Sequence, residues 1–191
     1  MASEHEVSPG CIILDACCLI NLYGSGRMAE ILEAIPTVFA VAEFVAREEA
    51  LRIYAGPPGR VTEEVENIDL GLLIESGRLE IVGLQDDEEK ATFVELAAHL
   101  DDGEAMTGAL ALHRGWTIAT DDRKAIRVFG EIAPGSLVIS TPQLIRAWVD
   151  MTHPDEDEVV EVLKNIRLRA RYEPGANHPL NAWWHARYGI S

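Results

Sequence analysis

The chain has 191 residues, 48% of them apolar and 25% charged, a globular composition too short for two ordinary domains. Its 32 carboxylate residues outnumber 16 Lys and Arg, for a formal net charge of −16. That balance excludes a protein that coats polyanions through a broad basic face; a phosphate-bearing ligand would need the acids gathered around divalent cations, or a basic partner protein. No run of about 18 apolar residues is present, so no transmembrane helix is expected. Residues 1–10 carry Glu4 and Glu6 and lack a basic segment followed by an apolar one, which makes a secretory leader unexpected and a cytoplasmic location the expectation.

Short apolar runs alternate with helical patterns along the chain. Strands are expected at residues 11–14, 38–41, 79–84, 117–119 and 137–139. Buried strands separated by helices imply an α/β fold, a three-layer α/β/α sandwich around a central parallel sheet of about five strands. In such sheets ligands meet the carboxyl ends of the strands. Residues 55–60, with Gly56, Pro57, Pro58 and Gly59, read as a loop. Thr141 followed by Pro142 reads as a helix cap and first turn, and a further helix is expected from the acids at 155–158 to about residue 171. The tail from Tyr172 onward reads as an irregular arm packed on the domain. Cys11, Cys17 and Cys18 read as reduced core thiols, and neither they nor the six histidines have zinc-site spacing.

The acids fall where that topology gives them meaning. Asp15 directly follows the first strand, where it either caps a helix or ligates a cation. After the second strand, Phe44, Glu48 and Leu51 share one helical face, which aims Glu48 inward and leaves Glu43 and Glu49 to solvent. Glu104 shares a face with Gly108 and Ala111, small residues that let a helix approach the sheet closely; Asp101 or Asp102 would cap that helix. The fourth strand ends in Thr120, Asp121 and Asp122. Four elements thus deliver carboxylates to one edge of the sheet. An oxygen-only donor set suits Mg2+ or Mn2+ better than zinc, and such ions promote phosphodiester hydrolysis.

Residues 13–22 (ILDACCLINL), 39–49, 100–105 (LDDGEA, followed by Ala109 and Ala111) and 118–123 (IATDDR) together resemble the PIN-domain ribonucleases, which include toxins of toxin–antitoxin modules. The resemblance spans about residues 11–150. It implies a PIN-like domain over residues 1–150, with a C-terminal helix and arm over 151–191 packed on it. It implies a metal-dependent endoribonuclease in which Asp15, Glu48, Glu104, Asp121 and Asp122 are catalytic and Asp15, Glu104, Asp121 and Asp122 bind Mg2+ or Mn2+. RNA as substrate, a protein antitoxin and a homodimer are expected with it, and no membrane. Cys17 stands where the family usually has Ser or Thr, and a thiol is the weaker hydrogen-bonding group. The alternative is a catalytically degenerate PIN-like module that binds RNA or protein. A phosphatase of the haloacid-dehalogenase kind also begins with Asp after a strand, but needs a second Asp where Cys17 stands. Arg123, Lys124 and Arg127, on the helix after the fourth strand, are candidates for RNA phosphate contacts. Arg167, Arg169 and Arg171 are further ones, and Trp183 and Trp184 are expected to pack rather than stack on bases.

Overall fold

A computed structural model describes residues 10–49, 51–56 and 62–187. The chain begins with β1 (Cys11–Leu14), α1 (Ala16–Gly24), α2 (Met28–Ala34), β2 (Val38–Ala42) and the short α3 (Glu43–Arg47). A two-stranded hairpin follows, β3 (Arg52–Tyr54) and β4 (Val65–Asn67), then α4 (Gly71–Glu75), β5 (Glu80–Val82), α5 (Asp87–Ala97) and α6 (Asp102–Arg114). The second half holds β6 (Thr117–Ala119), α7 (Arg123–Ile132), β7 (Val138–Ile139), α8 (Thr141–Thr152), α9 (Glu156–Asn165) and α10 (Asn181–Ala186).

β1, β2, β5, β6 and β7 form one all-parallel sheet in the order β5-β2-β1-β6-β7, flanked by helices as an α/β/α sandwich. β1 lies at its centre, in register with Ala40 and Val41 on one side and Ile118 and Ala119 on the other. A central parallel strand is covered on both faces, which is why Ile13 and Leu14 are wholly buried and β1 reads as an unbroken apolar run. Residues 11–14 and 117–119 match the expected strands; β2 runs one residue further, and β5 and β7 are trimmed at their ends.

α6 packs across β1, β2 and β6 and against α5, while α1, α2 and α8 pack on one another. The close approach of α6 depends on Gly108: a Cβ there would stand 2.4 Å from Cε1 of Phe129 and 3.0 Å from Cδ1 of Leu96. Ser140, not Thr141, precedes α8, and the Gln143 side chain accepts from its N–H at 2.9 Å. α9 continues into a π-helical turn, Ile166–Ala170, that stops at Arg171 in the left-handed region (φ 57°). The tail then returns to the domain, α10 included, and Trp184 is fully buried. Of the expected loop at 55–60, positions 57–60 lie outside the described residues. The acids at the start of α5 are not all solvated: Glu89 is buried and ion-paired to Arg114 at 2.7 Å.

Candidate active site

The ends of β1 and β6 are tied together before any side chain is considered, since the Asp15 N–H donates to the Ala119 carbonyl at 3.0 Å. Asp15 sits at the N-cap of α1, where Oδ1 accepts from Ala16 N at 2.8 Å. Its Oδ2 accepts from the Thr120 hydroxyl at 2.8 Å and from the Cys17 thiol at 3.1 Å. Only 4% of Asp15 is exposed. Burial raises its carboxyl above the ordinary range, the Cys17, Thr120 and Ala16 hydrogen bonds oppose that, and the charge of Asp101 adds to it. Cys17 does the work expected of a hydroxyl: its sulfur also accepts from Asp121 N at 3.2 Å, so it joins the two strand ends.

Asp101 and Glu104 start α6 as a capping box: Asp101 Oδ1 accepts from Glu104 N at 2.8 Å, and Glu104 Oε2 accepts from Asp101 N at 3.3 Å. The cap does not exhaust Glu104. Burial first, then the charge of Asp101, raise its carboxyl from the ordinary 4.5 to about 7, with Asp15 and Asp122 contributing.

Glu48 is not the acid that joins them. The helix expected to carry it inward ends at Arg47, which breaks the spacing of Phe44, Glu48 and Leu51, and Glu48 is left exposed. Glu49 turns in instead. Its Oε1 lies over Gly103, so close that a Cβ on that glycine would stand 1.8 Å away. Burial, then Asp101, Asp15 and Glu104, raise Glu49 to about 7. Its carboxylate accepts no hydrogen bond among the described residues.

The adjacent acids Asp121 and Asp122 differ in kind. Asp122 caps α7, with Oδ1 accepting from Lys124 N at 2.7 Å and Ala125 N at 2.8 Å, and its charge reaches Glu104. Asp121 faces the other way, into a set of five donors. Oδ1 accepts from Tyr172 Oη at 2.8 Å and Thr141 N at 3.1 Å; Oδ2 accepts from Asn21 Nδ2 at 3.0 Å, from the Thr141 hydroxyl and from the Cys18 thiol at 3.4 Å. The structure thus groups Asp15, Glu49, Asp101, Glu104 and Asp122 electrostatically, and sets Asp121 apart as a packed polar hub.

Cys17, Cys18 and Asp121 bring one ligand atom each within 4.8 Å of one another, a cluster with the spacing to hold a metal; among the described residues it is the only trio of such side chains that close. Two features weigh against it as the working centre. Burial pushes the Cys18 thiol well above its ordinary value, which opposes the thiolate a metal needs, and both Asp121 oxygens are already committed to donors. The Asp15, Glu49 and Glu104 carboxylates have the spare lone pairs, but stand further apart than that cluster.

The cations of α7 flank these acids. Arg123, Lys124 and Arg127 are exposed, and none forms an ion pair among the described residues. The later arginines are engaged with the protein itself: Arg167 with Glu173 at 3.2 Å, Arg169 with Glu66 at 2.9 Å, and Arg171 over the Tyr54 ring at 4.3 Å. Sequence reasoning missed Glu49, the wider role of Asp101, and the donors Asn21, Thr141 and Tyr172. Gly103 was the available signal, since a glycine in the first turn of a helix marks a close approach by something else.

No family model matches this chain, and no curated protein matches it.

Two expected results follow from the geometry. Gly103→Ala drives Glu49 off its seat, because the new methyl also meets Val45 Cγ2 at 3.1 Å on the other side. It should weaken Mn2+ binding by about tenfold, the scale at which disturbing a ligand's support lowers metal affinity, without removing a carboxylate. Calorimetry on the two proteins reads this directly, and unchanged affinity would show that Glu49 is not a ligand. The second result concerns pH. With both groups raised from 4.5 to about 7, the folded state holds protons that the unfolded state has released between those values. The metal-free protein therefore loses stability as pH rises from about 4.5 to about 7, with no further loss from these groups above that. Both side chains are only partly buried, so the discounted cost is about 1 kcal/mol for the pair, or about 2–4 °C in Tm. Thermal unfolding of wild type against the Glu49→Gln/Glu104→Gln double variant isolates this contribution; equal pH dependence in the two proteins would contradict it.

Proposed function

We propose that the chain is a divalent-metal-dependent ribonuclease of the PIN type, with Asp15, Glu49, Glu104 and Asp122 as ligands to Mg2+ or Mn2+. One observation carries the reading: Glu49, seated over Gly103, and Glu104, from the first turn of the same helix as Gly103, are gathered from different parts of the chain, close enough for Asp101 and Asp15 to raise both carboxyls. Carboxyls that repel one another at the carboxyl edge of a parallel sheet fit a hard cation, and the donor atoms are all oxygen. Asp15, Glu49, Glu104 and Asp122 would hold the ion, which would supply polarisation of a phosphoryl oxygen and a more acidic water.

The chain's own part is positional. Thr120 and Cys17 fix Asp15 Oδ2 from two sides, so the first carboxylate cannot rotate away. Gly103 lets Glu49 lie flat against α6. Among the described residues no donor satisfies Glu49, so its oxygens are available to ligate or to take a proton from water. Lys124 and Arg127, which form no ion pair among the described residues and follow Asp122 on α7, suit the phosphates that flank the reacting one. The net charge of −16 asks for a basic partner; a protein antitoxin and a homodimer belong to the same proposal.

A second reading has its own support. Asp15, Glu49 and Glu104 do not converge as tightly as the Cys17–Cys18–Asp121 trio, as expected of a PIN-like module that binds RNA or protein without cutting. Cleavage of varied RNAs in Mn2+, against EDTA, separates the two when paired with a Mn2+ titration. Metal-dependent cleavage supports the nuclease. Weak Mn2+ binding with no cleavage supports the binding module.

A further inference from the structure

The C-terminal tail, which the family resemblance does not cover, closes a cavity of about 460 Å³ beside the acids. Asp121, Arg123 and Ile126 come from the domain; Tyr172, Gly175, Asn177 and His178 come from the tail. Asp121 and Arg123, which line the cavity, flank Asp122 in the chain, so the cavity and the acidic site are built from opposite sides of one turn.

Its chemistry is specific. Arg123 remains without an ion pair among the described residues, in a chain with twice as many acids as cations. Its guanidinium is pressed on Gly175, where a Cβ would stand 2.5 Å from Nη2, so the arm fixes where that charge sits. Ile126 is 41% exposed at the rim, an apolar edge with nothing on it. The Asn177 side chain is exposed and makes no hydrogen bond among the described residues, leaving both a donor and an acceptor to offer. His178 is tied into the fold: its Nδ1 accepts from Leu180 N at 3.0 Å, and its Nε2 is hydrogen-bonded to Ser140 Oγ at 2.9 Å. Ser140 in turn donates to Gln143 Oε1 at 2.8 Å. Glu173, also in the lining, is paired with Arg167.

A fixed cation, an apolar edge, a free amide and a volume suited to one small ligand match a single unpaired nucleotide. Bases splayed from a single strand pack on apolar and guanidinium surfaces and are read through hydrogen bonds at their edges. We infer that this cavity is a subsite for one unpaired nucleotide of an RNA, with its base read by the Asn177 amide and its phosphate held by Arg123. The inference rests on the RNA reading above, and it gives the arm a purpose: selecting where the strand enters the acidic site.

The test is fluorescence anisotropy with short homopolymeric RNAs of A, C, G and U, in EDTA so that cleavage plays no part. Wild type should bind them unequally. Asn177→Ala, at an exposed position with no partner to lose, should reduce affinity for the preferred RNA by about tenfold and leave the others nearly unchanged. Arg123→Ala should weaken all four alike. Equal binding of the four RNAs by wild type, or an Asn177→Ala protein that binds as wild type does, would overturn the subsite. Cleavage in Mn2+ is measured separately: base-selective binding without cleavage sinks the nuclease reading and keeps the subsite, whereas cleavage without selective binding does the reverse.

Discussion

Asp15→Asn should abolish RNA cleavage and leave the protein folded. Asn keeps an oxygen for Ala16 N, so the cap of α1 survives. The amide nitrogen then takes the place of Oδ2, which accepts from Thr120 and Cys17. The Thr120 hydroxyl can rotate to accept instead of donate, so the new group finds a partner. A buried carboxylate whose charged form is disfavoured is also replaced by a neutral group, which adds no desolvation cost. What disappears is the negative charge at the centre of the sheet edge. The loss should reach at least about 100-fold in kcat/KM, or about 2.7 kcal/mol of transition-state stabilisation, the scale of removing one well-placed electrostatic group. Cleavage assays in Mn2+ with a thermal melt of the same sample check both halves. A variant that melts normally and cuts normally would remove Asp15 from the mechanism.

The same residues show how far the sequence could be read. β1 and β6 were legible to the residue because strands covered on both faces are continuous apolar runs; Asp15 was legible because it directly follows β1, and Asp122 because it stands in the turn three residues past β6. The Glu104 capping box announces itself by local spacing alone. The hairpin of β3 and β4 was not legible: Arg52, Val65, Glu66 and Asn67 are exposed and carry no alternation that a periodicity argument can use. Glu48 was chosen over Glu49 on the assumption that the helix kept its period to Leu51. Nothing local in Arg47, Glu48 and Glu49 announces the stop at Arg47. Part of what favours Glu49 is a contact across the fold, the seat on Gly103 more than fifty positions later in the chain. The arm fails the same way. Its pairing of Tyr172 with Asp121 joins residues with no periodic relation, and only the folded chain brings them together.

That hub leads to the opposite expectation for a chemically identical swap. Asp121→Asn should destabilise the protein, where Asp15→Asn does not. Every donor around Asp121 is pointed at an oxygen, and two of them cannot turn around. Thr141 N is a backbone donor with a fixed direction toward Oδ1, which forces the amide oxygen of an Asn to that side. The amide nitrogen then replaces Oδ2 and meets Asn21 Nδ2 head-on, donor to donor. Flipping Asn21 would turn its Oδ1 to the new amide nitrogen, but would take the donor from Thr141 Oγ1, which Asn21 Nδ2 also reaches at 3.1 Å. Leaving one or two buried donors unpaired costs about 1–6 kcal/mol, at about 1–3 kcal/mol each, and lowers Tm by about 2–24 °C. Tyr172→Phe removes one neutral donor from the arm and keeps the ring against Trp184, so it should cost only about 1 kcal/mol. Urea unfolding of the three proteins orders them. If Asp121→Asn proves as stable as wild type, Asp121 is not a structural hub, and its oxygens must be counted again among the ligands of the metal.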